Sequence, residues 1–166
     1  MSTSTAKAKS AKSGSGRPLV LLVSGPNLGL LGTRQPEVYG TTTLAEHAER
    51  ARRSAEDLGF DLEHVQSDAE HELIAAVQGA RGRAAAIVVN AAALTHYGWS
   101  LADALATFPG PVVELHISNP EAREPWRRLS VIAPVAAGSI AGFGGLGYEL
   151  AVEAAARLVR AAGGAA

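Results

Sequence analysis

The sequence predicts an α/β fold built on a parallel sheet, and three observations carry that prediction. Short apolar runs alternate with helically patterned segments along the chain, the pattern of strands joined by crossover helices. The 166 residues suit one domain, with 47% hydrophobic residues to fill its core. No internal repeat and no second linker divides them.

Taken in order, Leu19–Ser24 reads as the first buried strand, and a long loop follows it. A helix is predicted over Thr43–Leu58, with Leu44, Ala48, Ala51, Ala55 and Leu58 near a helical period. Gly59 stands where a left-handed residue ends a helix. Phe60–Val65 is the second strand. Asp68 suits the N-cap of a helix over Ala69–Ala80. Ala84–Val89 is the third strand and delivers Asn90. Thr95 suits the cap of a third helix reaching Phe108. Val112–Ile117 and Val135–Ala141 are the fourth and fifth strands, and Gly145–Ala162 is the last helix. Five strands and four helices suit a flavodoxin-like arrangement, order 2-1-3-4-5, with helices on both faces. The switch point falls between the first and third strands, where such sheets bind ligands.

Residues 1–16 read as a disordered basic tail, and residues 17–166 as a single catalytic domain. The tail has no apolar core of a secretory signal. It holds all three lysines, Lys7, Lys9 and Lys12, a poor footprint for nucleic acid. Removing them from the formal charge of −1 leaves −4 for the rest. A body without lysine cannot form a Schiff base, and its cations are arginines with a fixed fork of donors. Cysteine is absent, which excludes thiol chemistry and Cys-metal sites and suits a cytoplasmic home. Nothing approaches a membrane span.

The most informative segment is Gly25-Pro26-Asn27-Leu28-Gly29-Leu30-Leu31-Gly32-Thr33-Arg34, continued by Pro36-Glu37-Val38-Tyr39-Gly40. Most strand-to-helix loops have roughly 2–6 residues, and an over-long one is usually a functional lid. This one carries Asn27, Arg34 and Tyr39 to the carboxyl end of the first strand. A phenol titrates near pH 10 unperturbed, and a close cation lowers it. Arg34 beside Tyr39 thus makes a phenolate base for use near neutral pH. A common Gly-Pro-Asn turn with a packed aromatic is the bland alternative.

On the fourth strand, alternation puts Glu114 and His116 on one side and Leu115 and Ile117 on the other. The carboxylate can orient the imidazole and favour its charged form, so His116 is a general-acid candidate. Ser118, with the backbone N–H groups of Ile117 and Ser118, suits a carboxylate. Three alanines after Asn90 let the backbone approach a ligand. His96, read at a helix N-terminus, is expected neutral and hydrogen-bonding to a hydroxyl. Arg127 is the arginine expected to reach the pocket, while Arg123 and Arg128 read as structural. His47, His64 and His71 read as surface residues without metal-ligand spacing. Gly142-Phe143-Gly144-Gly145-Leu146-Gly147 matches a dinucleotide fingerprint, but no strand with an acidic residue about 20 positions on follows it. Tight helix–strand packing explains it better.

Together these segments resemble the type II 3-dehydroquinate dehydratase family over residues 19 to about 160. The likeness rests on GPNLGLLGTRQPEVYG, QSDAEHELI, the N…LTH segment at 90–96, VELHISN, AREPWRR and GFGGLGY. It implies anti elimination of water from 3-dehydroquinate to 3-dehydroshikimate through an enolate, without metal or cofactor. By the same likeness Tyr39 is the base and Arg34 lowers its pKa. Asn27 positions a water at the enolate oxygen, and His116, oriented by Glu114, protonates the leaving hydroxyl. Asn90, His96, Ile117, Ser118 and Arg127 hold the carboxylate and ring hydroxyls. Asp103 enters a neighbouring subunit's pocket, within a homo-oligomer of trimers assembled into a dodecamer. The family usually has a Pro-Gly-Ala type turn where this chain has Ala91-Ala92-Ala93. Two other readings stand beside this one: a flavodoxin-like binding domain, and a catalytically silent paralogue.

Overall fold

The computed structural model describes residues 16–33 and 40–164. β1 (Leu19–Ser24) is buried along its whole length, because its alternate side chains enter different cores. Val20 and Leu22 meet α1 (Leu44–Asp57) and α4 (Leu146–Gly164). Leu19, Leu21 and Val23 meet α2 (Glu70–Ala80) and α3 (Trp99–Ala106) on the opposite face. With β2 (Asp61–Gln66), β3 (Ala86–Asn90), β4 (Val112–His116) and β5 (Gly138–Ala141), the sheet is parallel throughout, in the order β2-β1-β3-β4-β5. The flavodoxin-like expectation therefore holds, with helices on both faces.

α1 begins at a capping box. Thr43 Oγ1 accepts from the Glu46 N–H at 3.3 Å, and Glu46 Oε2 accepts from the Thr43 N–H at 2.8 Å. The helix ends at Gly59, left-handed at φ +77° as expected.

Four local expectations change. β5 starts only at Gly138, because Pro134 has no N–H and a 3-10 turn occupies Ala133–Val135. The third helix starts at Trp99, with Gly98 as its N-cap. A 3-10 turn holds Ala92–His96 before it. Thr95 is therefore buried rather than capping, and its main chain accepts from the Val131 N–H at 2.8 Å. Asp68 does not cap α2 either. Its Oδ1 turns to the Asn27 N–H, at 2.8 Å, and to Gln66 Nε2, at 3.0 Å. Glu70 serves α3 instead, accepting from the Leu101 N–H at 3.1 Å.

The histidines also differ from expectation. His71 is exposed, but His64 is half-buried on β2, 3.0 Å from Ser24 Oγ. His47 is buried and stacks on Tyr148, with ring centroids 5.0 Å apart and planes 9° apart. Neither of its ring nitrogens has a hydrogen-bond partner among the described residues. Burial lowers the His47 pKa, and Arg50 adds to this against the weaker pull of Glu46 and Glu149. A folded-state pKa below the unfolded value near 6.5 costs stability as pH falls through that value. His47→Leu is therefore expected to stabilise the fold by about 1–2 kcal/mol, with a gain that grows below pH 6.5. Melting curves of both proteins at neutral and mildly acid pH check this. A variant no more stable than the parent at either pH would refute it.

Candidate active site

The crevice forms where the sheet order switches, at the carboxyl ends of β1 and β3. Ser24 is in register with Asn90, and the Gly25 N–H continues the ladder to Asn90 O at 2.8 Å. Here glycine is required, since a Cβ on Gly25 would lie 2.5 Å from Ala91 O. This close approach sets the β1 loop against the β3 loop. Pro26, Asn27, Leu28 and Leu31 form one wall, and Asn90, Ala92, Ala93 and His96 form another. His116, Ile117, Ser118, Arg123 and Arg127 complete the lining from the β4 side.

Seven residues named from the sequence thus share one crevice: Asn27, Asn90, His96, His116, Ile117, Ser118 and Arg127. Glu114 lies behind it and Asp103 lies outside it, exposed on α3. Arg34 and Tyr39 lie outside the described residues. The flank before their segment reaches the crevice and packs against the residues that follow the segment. Leu31 lines it, and Gly32, at φ +92°, packs so closely that a Cβ would meet Thr43 Cγ2 at 3.0 Å and Thr41 O at 3.1 Å.

Asn27 is left-handed, at φ 64°, a conformation asparagine tolerates better than most residues. Its N–H bond to Asp68 holds that backbone where the residue lines the crevice. Asn90 is held at both ends of its amide. Oδ1 accepts from the Ala92 N–H at 3.3 Å, and Nδ2 faces the Tyr148 hydroxyl at 3.5 Å. Burial pushes the Tyr148 pKa up to about 12, so its hydroxyl stays protonated at neutral pH.

Ala92 has φ +52°, strained for a residue with a Cβ and cheap for glycine. Ala92→Gly is expected to stabilise the protein by about 1 kcal/mol, a rise of roughly 2–4 °C in Tm for a chain of this size. A thermal melt measures it, and a lower Tm would show that this backbone is not strained.

His96 does not sit at a helix N-terminus, because the 3-10 turn ends on it. Its Nδ1 lies 2.7 Å from Leu129 O. A carbonyl only accepts, so Nδ1 carries a proton and Nε2 remains for other partners. Trp126, which sequence pattern did not single out, meets the His96 ring edge-on at 5.2 Å. The Arg127 guanidinium lies 4.0 Å over the indole and donates to Glu124 Oε2 at 2.8 Å. Arg123, expected to be structural, lines the crevice too, with Nε 3.6 Å from Glu124 Oε2. The 3-10 turns Pro120–Ala122 and Pro125–Arg128 bring both arginines to the same opening. Arg128 stays outside, 3.8 Å from Glu121.

Behind the crevice, Glu114 and His116 share one side of β4 as the alternation predicts. His116 Nε2 is 3.1 Å from Glu114 Oε1. Glu114 is buried, with two further donors that sequence pattern did not reveal. Ser130 Oγ is 2.6 Å from Oε1, and Ser139 Oγ is 2.7 Å from Oε2. Burial raises the Glu114 pKa, but the bonds from His116, Ser130 and Ser139 outweigh it and leave the group below the usual carboxylate value. Ser139 was findable in principle, since it pairs with Glu114 across β4 and β5. Ser130 sits in a loop 16 residues away, with no periodic signal.

The glycine-rich segment after β5 packs as expected. A Cβ on Gly147 would meet Leu115 Cδ1 at 2.9 Å, and one on Gly145 would meet His47 Nδ1 at 2.8 Å.

Residues 18–156 match the family model described as dehydroquinase class II. A 3-dehydroquinate dehydratase of Edwardsiella ictaluri is 51% identical over 136 residues, covering 82% of this chain and 91% of that protein. The catabolic 3-dehydroquinase 1 of Aspergillus terreus is 48% identical over 134 residues, covering 81% and 88%. Among solved structures, the type II dehydroquinase from Propionibacterium acnes superposes with a TM-score of 0.79 at 40% identity, over 89% of this chain and 99% of that one. A family match across nearly the whole described body, on the same sheet, leads to one conclusion: the chain belongs to the class II dehydroquinase family and, like its relatives, is a hydro-lyase.

Proposed function

We propose that the crevice dehydrates 3-dehydroquinate to 3-dehydroshikimate through an enolate, with Tyr39 as base and His116 as acid. The observation that carries this reading is the buried Glu114 behind His116, with only the imidazole of the pair lining the crevice. Tyr39, lowered by Arg34, removes the proton next to the ketone. The electrons move onto the ketone oxygen, where a water held by Asn27 stabilises the charge. Collapse of the enolate expels hydroxide from the ring, and His116 supplies its proton. Asn90, His96, Arg127, Ser118 and the main chain of Ile117 and Ser118 hold the substrate carboxylate and hydroxyls. Adding 3-dehydroquinate and following the ultraviolet absorbance of the conjugated enone tests the reaction. No absorbance change with folded protein would refute it.

The same reading extends to assembly and location. Asp103 is exposed on α3 and does not line its own crevice, so a neighbour's site is its natural target in a trimer, and trimers build the dodecamer. A 17.0 kDa chain then runs at about 200 kDa, as a closed symmetric oligomer. Light scattering with parallel activity measurements checks it, and a fully active monomer would overturn the shared site. A cysteine-free chain suits a reducing, cytoplasmic home. Among the described residues no helix is long and apolar enough to cross a membrane.

A further inference from the structure

Ser130 carries more constraint than a loop serine needs. Its Oγ accepts from the Ile132 N–H at 3.1 Å and from the Ala133 N–H at 2.9 Å. A hydroxyl has two lone pairs and one proton. Both lone pairs are taken by amides that can only donate. The proton is left with one partner at short range, Glu114 Oε1 at 2.6 Å. Oε1 is therefore an acceptor along that line. The same oxygen lies 3.1 Å from His116 Nε2, so the imidazole must put a proton on Nε2 to bond it.

We propose that Ser130 is a positioning residue: by holding Glu114 Oε1 in place and ionised, it fixes His116 with Nε2–H on the carboxylate, so that a proton on Nδ1 is the one turned to the substrate. The chain of bonds runs from two fixed backbone amides, through one hydroxyl, to the carboxylate. Ser139 holds the other oxygen from the exposed end of the sheet, at 2.7 Å. Ser130 differs from it in having both lone pairs already engaged. The net lowering of the Glu114 pKa by its three donors fits a carboxylate that stays ionised.

This rests on His116 acting as the acid, so the test has one arm that needs no turnover. In 15N-histidine NMR at alkaline pH, the His116 resonances are identified by their loss in His116→Ala. They should show protonated Nε2 and bare Nδ1 in the parent, and a mixture of tautomers in Ser130→Ala. A protonated Nδ1 in the parent, or an unchanged tautomer in the variant, overturns the proposal whatever the reaction is. In the kinetic arm, Ser130→Ala should lower kcat about 10-fold with KM changed less than about 2-fold, a modest part of a general acid's effect. Its acid limb should move to higher pH, because burial then raises the Glu114 pKa with one donor fewer. Ser130→Thr, which keeps the hydroxyl, should restore most of the rate. A merely structural serine would change the melting temperature and leave the limb in place, and that result refutes the role. Should the alanine variant fail to fold, Ser130→Cys keeps the volume with a weak donor and takes its place in both arms.

Discussion

Tyr39→Phe is expected to lower kcat by about 10²–10⁴-fold, the range for loss of a general base, with the fold unchanged. The change removes one oxygen and keeps the ring, so the volume of the side chain is nearly conserved. The size of the effect follows from the chemistry available. The chain has three tyrosines. Tyr148 is buried, with its pKa raised to about 12, and cannot supply a phenolate near neutral pH. Tyr97 is exposed and is not part of the crevice lining. Tyr39 alone follows an arginine by five residues in a segment whose anchored flank lines the crevice. Steady-state kinetics with 3-dehydroquinate, beside circular dichroism, measures the change. Turnover within a few-fold of the parent would sink the assignment of the base.

His116→Ala is expected to cost a similar factor, about 10²–10⁴ in kcat, with a smaller change in KM. It also has a consequence for stability, because the imidazole is one of three donors to a buried carboxylate. A carboxylate held below its ordinary value near 4.5 contributes stability above that pH and loses it as pH falls through the folded-state value. With a donor gone, the Glu114 pKa depression shrinks. The variant should then begin to lose stability at a higher pH than the parent on the acid side. Kinetics and acid titrations of the two folded proteins test both halves. Full activity in the variant would remove His116 as the acid, and identical acid unfolding would remove its bond to Glu114.

Much of the site was legible because a few local rules place it. Period-two alternation put Glu114 beside His116, and they are in contact. The switch point put the Asn27 loop against Asn90, and the β1–β3 register does so. A long loop rich in glycine marked one wall of the crevice. The departures from that local pattern have a common source. Thr95 and His96 read as a helix start because residues 95–108 carry a helical pattern. The chain instead folds a 3-10 turn and restarts at Gly98, where a Cβ would lie 2.8 Å from Leu94 O. Asp68 reads as a cap because capping is a local signal, yet its carboxylate serves Asn27, 41 residues away. Arg123 reads as structural from sequence because nothing in its spacing shows that the Pro120–Ala122 turn brings it to the crevice.

By itself the sequence determined the class of fold, the parallel order of its elements and the side of each strand that faces a core. Those properties depend on repeats of apolar residues over short distances, which the chain carries in its own order. Only the tertiary structure decided that His47 is buried against Tyr148, that Ser130 and Ser139 hold Glu114, and that Trp126 walls His96. Each of those contacts joins residues from separate elements. A hydrogen bond needs its atoms placed to within tenths of an ångström, and that placement is set by how helices and turns pack around the sheet, not by the pattern along any one of them.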